Sequence, residues 1–302
     1  LHDGTQLYDA PGKAKQSLES ENEGNYHFDT YIELVKSYDN PDKEILFSLT
    51  HDIGTDAEYE ALINIDTTFI DELGSDTEVD FNYKFPLNEK SKIEIGYDGR
   101  FTKSDETMQL GLREVDEDLI ESHDNYEIWN FDALNDFSYS RSIHGFFAEF
   151  QYQLNEKFSI KPSFRIEFVD KKIDFNYTFG DSSGAPSSTY IQYLTDPTTT
   201  SDNISISEIN YFPDLHFTYN ITDKKNIQFG LSKRIERPSG AGHHWGQLRP
   251  FPRSVYNDSF VFIGNPFLKP EFSTQYEISY KSPIPMGFGY INFYMSDVKD
   301  PI

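Results

Sequence analysis

The chain has 302 residues, 51 acids against 26 bases, a net charge of −25 and no cysteine. With 26 Phe and 20 Tyr it is too aromatic for a chain disordered throughout, and without cysteine it holds neither a disulfide scaffold nor a thiolate metal site. Its charge excludes nucleic acid as an expected partner, and no run of about 18 apolar residues could form a transmembrane helix, a limit that does not touch barrel strands.

The chain starts at Leu1 with no Met and no basic-plus-apolar leader. It stops at Val298-Lys299-Asp300-Pro301-Ile302, directly after a strand pattern. It therefore reads as an internal piece of a longer protein.

In chain order, the dominant signal is period two, which sends alternate side chains to opposite faces of a strand. A first hairpin runs from Tyr26 to Tyr38, turns at Asp39-Asn40-Pro41-Asp42 and returns through Ile45, Phe47 and Leu49. A second sets Val79, Phe81, Tyr83 and Phe85 against Glu78, Asp80, Asn82 and Lys84. It turns at Asn88-Glu89-Lys90 and returns with Ile93, Ile95, Tyr97 and Phe101 on one face. The third places Phe146, Ala148, Phe150 and Tyr152 before Asn155-Glu156-Lys157, then Phe158, Ile160, Phe164, Ile166 and Phe168 after it. A fourth has Leu215, Phe217 and Tyr219, a turn at Thr222-Asp223-Lys224, and Ile227, Phe229 and Leu231. The last runs from Thr274 to Tyr280, turns around residues 283–285 and returns through Ile291, Phe293 and Met295. The three middle turns are nearly one string, which indicates a repeated hairpin unit.

About ten strands result, joined alternately by short turns and by long polar segments near 52–76, 103–134, 169–211 and 233–272. Outer-membrane barrels have this rhythm, with short periplasmic turns and long outer loops. Phe and Tyr crowd the apolar face beside the short turns (Tyr83, Phe85, Tyr152, Phe158, Phe217, Tyr219), as an interfacial girdle requires. The expected fold is therefore all-β, an antiparallel up-and-down transmembrane barrel wall. Phe81, Tyr83, Phe85, Ile93, Ile95, Phe150, Phe164, Phe217 and Phe229 should face lipid. The alternative is a secreted soluble β-sandwich that binds glycans, whose core would alternate in the same way.

Segment 104–127 holds nine acids and only Arg113 as a base. A cation-attracting vestibule and a plain solvated loop both fit it, and no EF-hand spacing is present.

Residues 231–280 are more specific. Leu231-Ser232-Lys233-Arg234-Ile235-Glu236-Arg237-Pro238 is followed by Leu248-Arg249-Pro250-Phe251, then by Gly264-Asn265-Pro266-Phe267-Leu268-Lys269-Pro270-Glu271 opening the next strand. This order resembles the C-terminal barrel half of TonB-dependent outer-membrane receptors, in the outer-membrane β-barrel family. The resemblance implies a piece of one barrel domain spanning 1–302, with the plug and the remaining strands elsewhere. It implies location in the Gram-negative outer membrane and uptake of a bulky siderophore, cobalamin or glycan. Its implied partners are a TonB complex acting through the plug, a possible surface lipoprotein lid, and outer-membrane lipid. No enzyme activity and no cofactor are implied. The physical content of the motif reads as structural: Pro238 has no N–H for a ladder, and Arg234, Arg237 and Lys269 can pair with lumen acids.

For substrate contact, the candidates are His243, His244, Trp245, Arg249 and Arg253. Adjacent histidines rarely converge on one metal, so no metal site is assigned. Trp245 could stack on a sugar or another flat ligand, and the arginines could hold an anion. A loop tip folded over the barrel mouth is the competing reading of the same residues.

Overall fold

The computed structural model describes residues 19–62, 66–112, 130–177, 200–238, 247–250 and 264–299. These contain ten strands: β1 (Glu19–Ser37), β2 (Glu44–Leu62), β3 (Asp66–Asn88), β4 (Ser91–Leu112), β5 (Asn130–Gln153), β6 (Phe158–Tyr177), β7 (Thr200–Thr222), β8 (Lys225–Glu236), β9 (Glu271–Ile284) and β10 (Gly287–Lys299). They form one sheet in strict chain order, every neighbouring pair antiparallel. Among the described residues there is no second sheet on which an apolar face could pack, so the sandwich alternative falls. β1 and β10, the two ends of the sheet, do not pair with each other.

The register sorts the faces. Phe47 lies opposite Phe81, Phe81 opposite Tyr97, Tyr97 opposite Phe146, Phe146 opposite Ile166, and Ile166 opposite Tyr211. One unbroken apolar row thus crosses six strands, and the nine residues expected to face lipid all share its side. That side is bare: Phe146 is 48% exposed and Phe164 47%, while Phe137 and Ile173 on the opposite face are 2% and 0% exposed. A soluble protein avoids so large an apolar surface. On β6 the outward apolar residues run from Phe158 to Phe168, about 34 Å of strand at roughly 3.4 Å per residue. A tilt of about 45° reduces this to roughly 24 Å, close to the height of a barrel's lipid band.

Rings gather at the short-turn end, as expected. Phe158 stacks on Tyr219 with centroids 4.6 Å apart, Phe150 on Tyr152 at 5.9 Å, and Tyr83 leans on Phe85 at 5.9 Å. At the upper edge of the band the few polar groups on this face satisfy one another. His51 Nδ1 lies 2.9 Å from Thr77 Oγ1, and Tyr97 Oη lies 2.9 Å from His144 Nδ1.

The repeated turn string has one chemical cause. Asn88 Oδ1 accepts from the Lys90 N–H at 2.9 Å. Asn155 Oδ1 accepts from Lys157 at 2.9 Å and Phe158 at 3.0 Å. Thr222 Oγ1 stands 3.4 Å from the Lys224 N–H. Each side chain imitates a backbone carbonyl and holds the turn open for hydrogen bonding two residues on. Asn155→Ala removes the acceptor of two amides and should lower the thermal transition of the barrel by the equivalent of about 1 kcal/mol. Asn155→Asp, which keeps the acceptor, should lose much less. Equal transitions for both variants in detergent would contradict this role.

The strands are longer than expected. Residues 52–62 and 66–76, read as a long polar loop, extend β2 and β3 instead, and Asp105 and Glu106 lie inside β4 rather than in a loop. The reason is physical. Above the lipid band the outer face no longer meets lipid and the inner face packs only at scattered apolar positions such as Ile70, so the period-two apolar signal breaks up while the ladder hydrogen bonds continue. The rest of the acidic segment, 113–129, lies outside the described residues.

Two prolines mark breaks in the ladders. The β5–β6 pairing skips from Glu149↔Ser163 to Tyr152↔Ile160, and Pro162 sits in the gap. The β7–β8 pairing stops at Asp214↔Ser232, next to Pro213. Proline has no N–H to donate, so the ladder is interrupted on one side of each strand, while Pro162 and Pro213 keep their register partners across β6–β7. Beyond Pro213, β7 and β8 part, and the long connection from β8 to β9 leaves from this split.

Candidate functional site

The face opposite the lipid row carries the candidate site. Its lower part is polar. A line of alternating charge crosses the wall there: Glu78 on β3, Arg100 and Asp98 on β4, Arg165 and Glu167 on β6, and Arg237 just after β8. Arg100 Nε lies 3.8 Å from Glu78 and 3.2 Å from Asp98. Arg165 donates from Nη2 to Asp98 at 3.1 Å and from Nε to Glu167 at 2.7 Å. Arg237 completes the line on the other oxygen of Glu167. The alternation fixes side chains that would otherwise repel or wander in a wet lumen.

The line depends on an absent side chain. On β5, Gly145 stands between Asp98 of β4 and Glu167 of β6 in the register. A Cβ there would lie 2.4 Å from Nη2 of Arg165. Arg165 therefore crosses β5 over bare backbone to reach Asp98. Gly145→Ala should push the guanidinium away and lower the thermal transition by the equivalent of about 1–3 kcal/mol. Adding Asp98→Asn to Gly145→Ala should then cost little more, because their shared bond is already lost. Fully additive losses in the double variant would contradict the bridge.

Higher on the same face the wall is packed rather than wet. Ile70, Met108, Phe137, Tyr139, Ile173 and Ile204 form a buried cluster, and Leu248 is its cap at 1% exposure. Leu248 belongs to the β8–β9 connection, whose residues 247–250 thus lie against the inner face of the wall. Beside it Arg249 donates to Glu106 of β4, with both side chains almost fully buried. Gln247 accepts through its carbonyl from the Asn265 N–H at 2.7 Å, and Asn265 Oδ1 turns the chain by accepting from Phe267 at 3.0 Å. Leu268 also packs on the cluster. The residues of the motif at 231–280 are thus the staples of one folded connection.

The five proposed contact residues divide. Arg249 lies inside the wall, held by Glu106. His243, His244, Trp245 and Arg253 lie outside the described residues, on the same connection. Of the basic residues read as pairing with lumen acids, Arg237 does so, with Glu167 of β6. Nothing in the sequence pattern pointed to Glu106 or Glu167 as the partners, because each lies far along the chain from its arginine.

The family model described as "Outer membrane protein beta-barrel family" matches residues 36–302. None of the curated proteins matches in sequence. Solved receptor structures share the fold. The ferric yersiniabactin uptake receptor FyuA from Yersinia pestis superposes with a TM-score of 0.61 at 9% identity, over 92% of this chain and 36% of that one. The ferric-catecholate import receptor Fiu from Escherichia coli K12 gives 0.52 at 11% identity, over 93% and 41%. The alcaligin outer-membrane receptor FauA from Bordetella pertussis gives 0.51 at 12% identity, over 93% and 38%. The chain spans about two fifths of the length of these receptors. An outward lipid band, an inward wall of paired charges and a motif whose residues staple a loop into the lumen are accounted for together: the chain belongs to the outer membrane protein β-barrel family and forms barrel wall in the outer membrane of a Gram-negative cell, in a family of barrels rather than of enzymes.

Proposed function

We propose that this chain is ten strands of the wall of a TonB-dependent import receptor that takes up a bulky nutrient. The observation that carries the reading is the open sheet. Ten long strands run in order without closing, and they superpose on about two fifths of each receptor. A wall of this kind belongs to a barrel of the large, plugged class of about 22 strands. On this reading residues 1–302 are part of one barrel domain, and the plug and the remaining strands come from the rest of the polypeptide. TonB acts through that plug, and a surface lipoprotein lid would sit over the outer loops. The substrate is a siderophore complex, cobalamin or a glycan. His243, His244, Trp245 and Arg253 are the contact candidates, on the connection that Leu248 and Arg249 anchor.

The test uses the natural full-length protein. Extracted in detergent, it should run compactly unboiled and shift on boiling, at a mass well above 35 kDa. Cells carrying it should accumulate one of the three substrate classes, and a proton-motive-force uncoupler should abolish accumulation, because TonB draws on that force. A compact, heat-shifting barrel whose uptake ignores the uncoupler would sink the TonB reading. Release into buffer without detergent would sink the barrel.

A further inference from the structure

The structure points to a buried anion site on the lumen face, and we propose that Tyr139, Arg141 and Arg237 bind a single halide-sized anion there. A cavity of about 20 Å³ lies between β5, β6, β7 and the start of the β8–β9 connection, lined by these three residues together with Lys171, Glu208 and Pro270. It has room for one water-sized species, two at most, and is too small for a polyatomic oxoanion.

The chemistry of the lining selects the occupant. Tyr139 is 1% exposed, the Arg141 guanidinium lies beside its Oη, and its phenol proton has no acceptor among the described residues. Nε of Arg141 and Nε of Arg237 are equally buried and equally without a partner. All three residues line the cavity, and each holds an unused donor. A buried donor left unmade costs roughly 1–3 kcal/mol, so three around one cavity ask for an acceptor.

The register adds charge to this demand. Arg141 and Lys171 lie directly opposite each other on β5 and β6. Like charges so placed repel. Among the described residues neither forms an ion pair within 4 Å, and Glu167, the acid nearest Arg237, is already shared with Arg165. Three cations and one acid, Glu208, line the cavity, so the lining carries 3 − 1 = +2. This stands within a chain of net charge −25. A water molecule would find one acid, Glu208, for its hydrogens but would leave the +2 lining uncompensated; an anion meets the donors and lowers that charge. Chloride suits the size, the donors and the charge. The inference concerns the wall alone and holds whatever the receptor imports.

The test uses the full-length receptor in detergent. Crystals soaked in sodium bromide should show an anomalous peak within about 3.5 Å of Tyr139 Oη and of Nε of Arg141 and Arg237, a halide contact being slightly longer than an N–H···O bond. In solution, the heat-modifiable transition should lie about 1–3 °C higher in chloride than in gluconate at equal ionic strength, because an ion that binds only the folded state stabilises it by mass action. Tyr139→Phe, which keeps the ring and removes the donor, should shrink that difference at least twofold. Arg141→Met should abolish it. If Arg141→Met fails to fold, the bromide peak in the unmodified protein decides alone. A cavity holding only water, or a carboxylate of the receptor itself, with no anomalous signal and equal transitions in the two salts, overturns the proposal.

Discussion

Arg249→Ala should be the most damaging single substitution on the lumen side. It takes the Arg249 guanidinium away from the buried carboxylate of Glu106. Removing one partner of a buried ion pair costs about 3–5 kcal/mol, far above the value of an exposed pair. The damage should be local before it is global. The β8–β9 connection is held by Arg249, by Leu248 in its apolar cluster and by Leu268, so losing the pair should release the connection while the ladders stand. Limited proteolysis of intact cells or of detergent extract reads this directly: cleavage should appear between β8 and β9 in Arg249→Ala and not in the unmodified protein. Glu106→Leu combined with Arg249→Leu removes both charges and keeps the bulk. It should recover most of the lost protection, because two apolar side chains fit such a site at little cost. If Arg249→Ala stays as protected as the parent, the pair does not anchor the connection.

Phe164→Lys should be the most damaging change on the lipid side. Phe164 is near the middle of the outward run from Phe158 to Phe168 and leans on Tyr211, with centroids 6.2 Å apart. A lysine at the membrane midplane of a barrel costs about 2–4 kcal/mol, and the cost fades toward either interface. Phe150 also faces lipid, but it lies only a few residues from the β5–β6 turn, near the girdle. A lysine there can snorkel to the headgroups. Phe164→Lys should therefore reduce the heat-shifting, membrane-embedded fraction several-fold more than Phe150→Lys. The expected order is Phe164, then Phe150, then a lumen control such as Ser163→Lys with little effect. If the order is reversed, or if all three are equal, the lipid face has been put on the wrong side of the sheet.

The parts legible in the sequence and the parts that were not differ for a physical reason. The lipid-facing halves of the strands are written in single residues: one side meets lipid and the other meets water, so Phe81, Ile95, Phe164 and Phe229 each announce their face. The short turns are equally legible, since Asn88, Asn155 and Thr222 act on amides two residues away. The upper strand halves were not legible. There the outer face no longer meets lipid and buried positions such as Ile70 are scattered among acids, so residues 52–62 and 66–76 look like loop although they are paired throughout. The site was half legible. The motif at 231–280 located the connection, and proline and asparagine chemistry explained its bends. Its anchors were hidden because Arg249 finds Glu106 and Arg237 finds Glu167 only after the sheet has set their register. Gly145 illustrates the same limit: its importance is a distance to Arg165, and no local pattern contains it.

The parting of β7 from β8 at Pro213 makes the wall mechanically uneven. β6 and β7 are zipped from Phe158↔Tyr219 to Tyr177↔Thr200, whereas β7 and β8 are zipped only from Thr222↔Lys225 to Asp214↔Ser232. A sheet under load yields where it has the fewest bonds across a line. Any force that widens this barrel will therefore be felt first along the upper half of that seam, and the connection carrying Leu248 and Arg249 leaves from the same place. The outer end of the wall thus holds a compliant line beside an anchored loop, and widening of the mouth would be registered there before the more fully zipped β6–β7 seam responds.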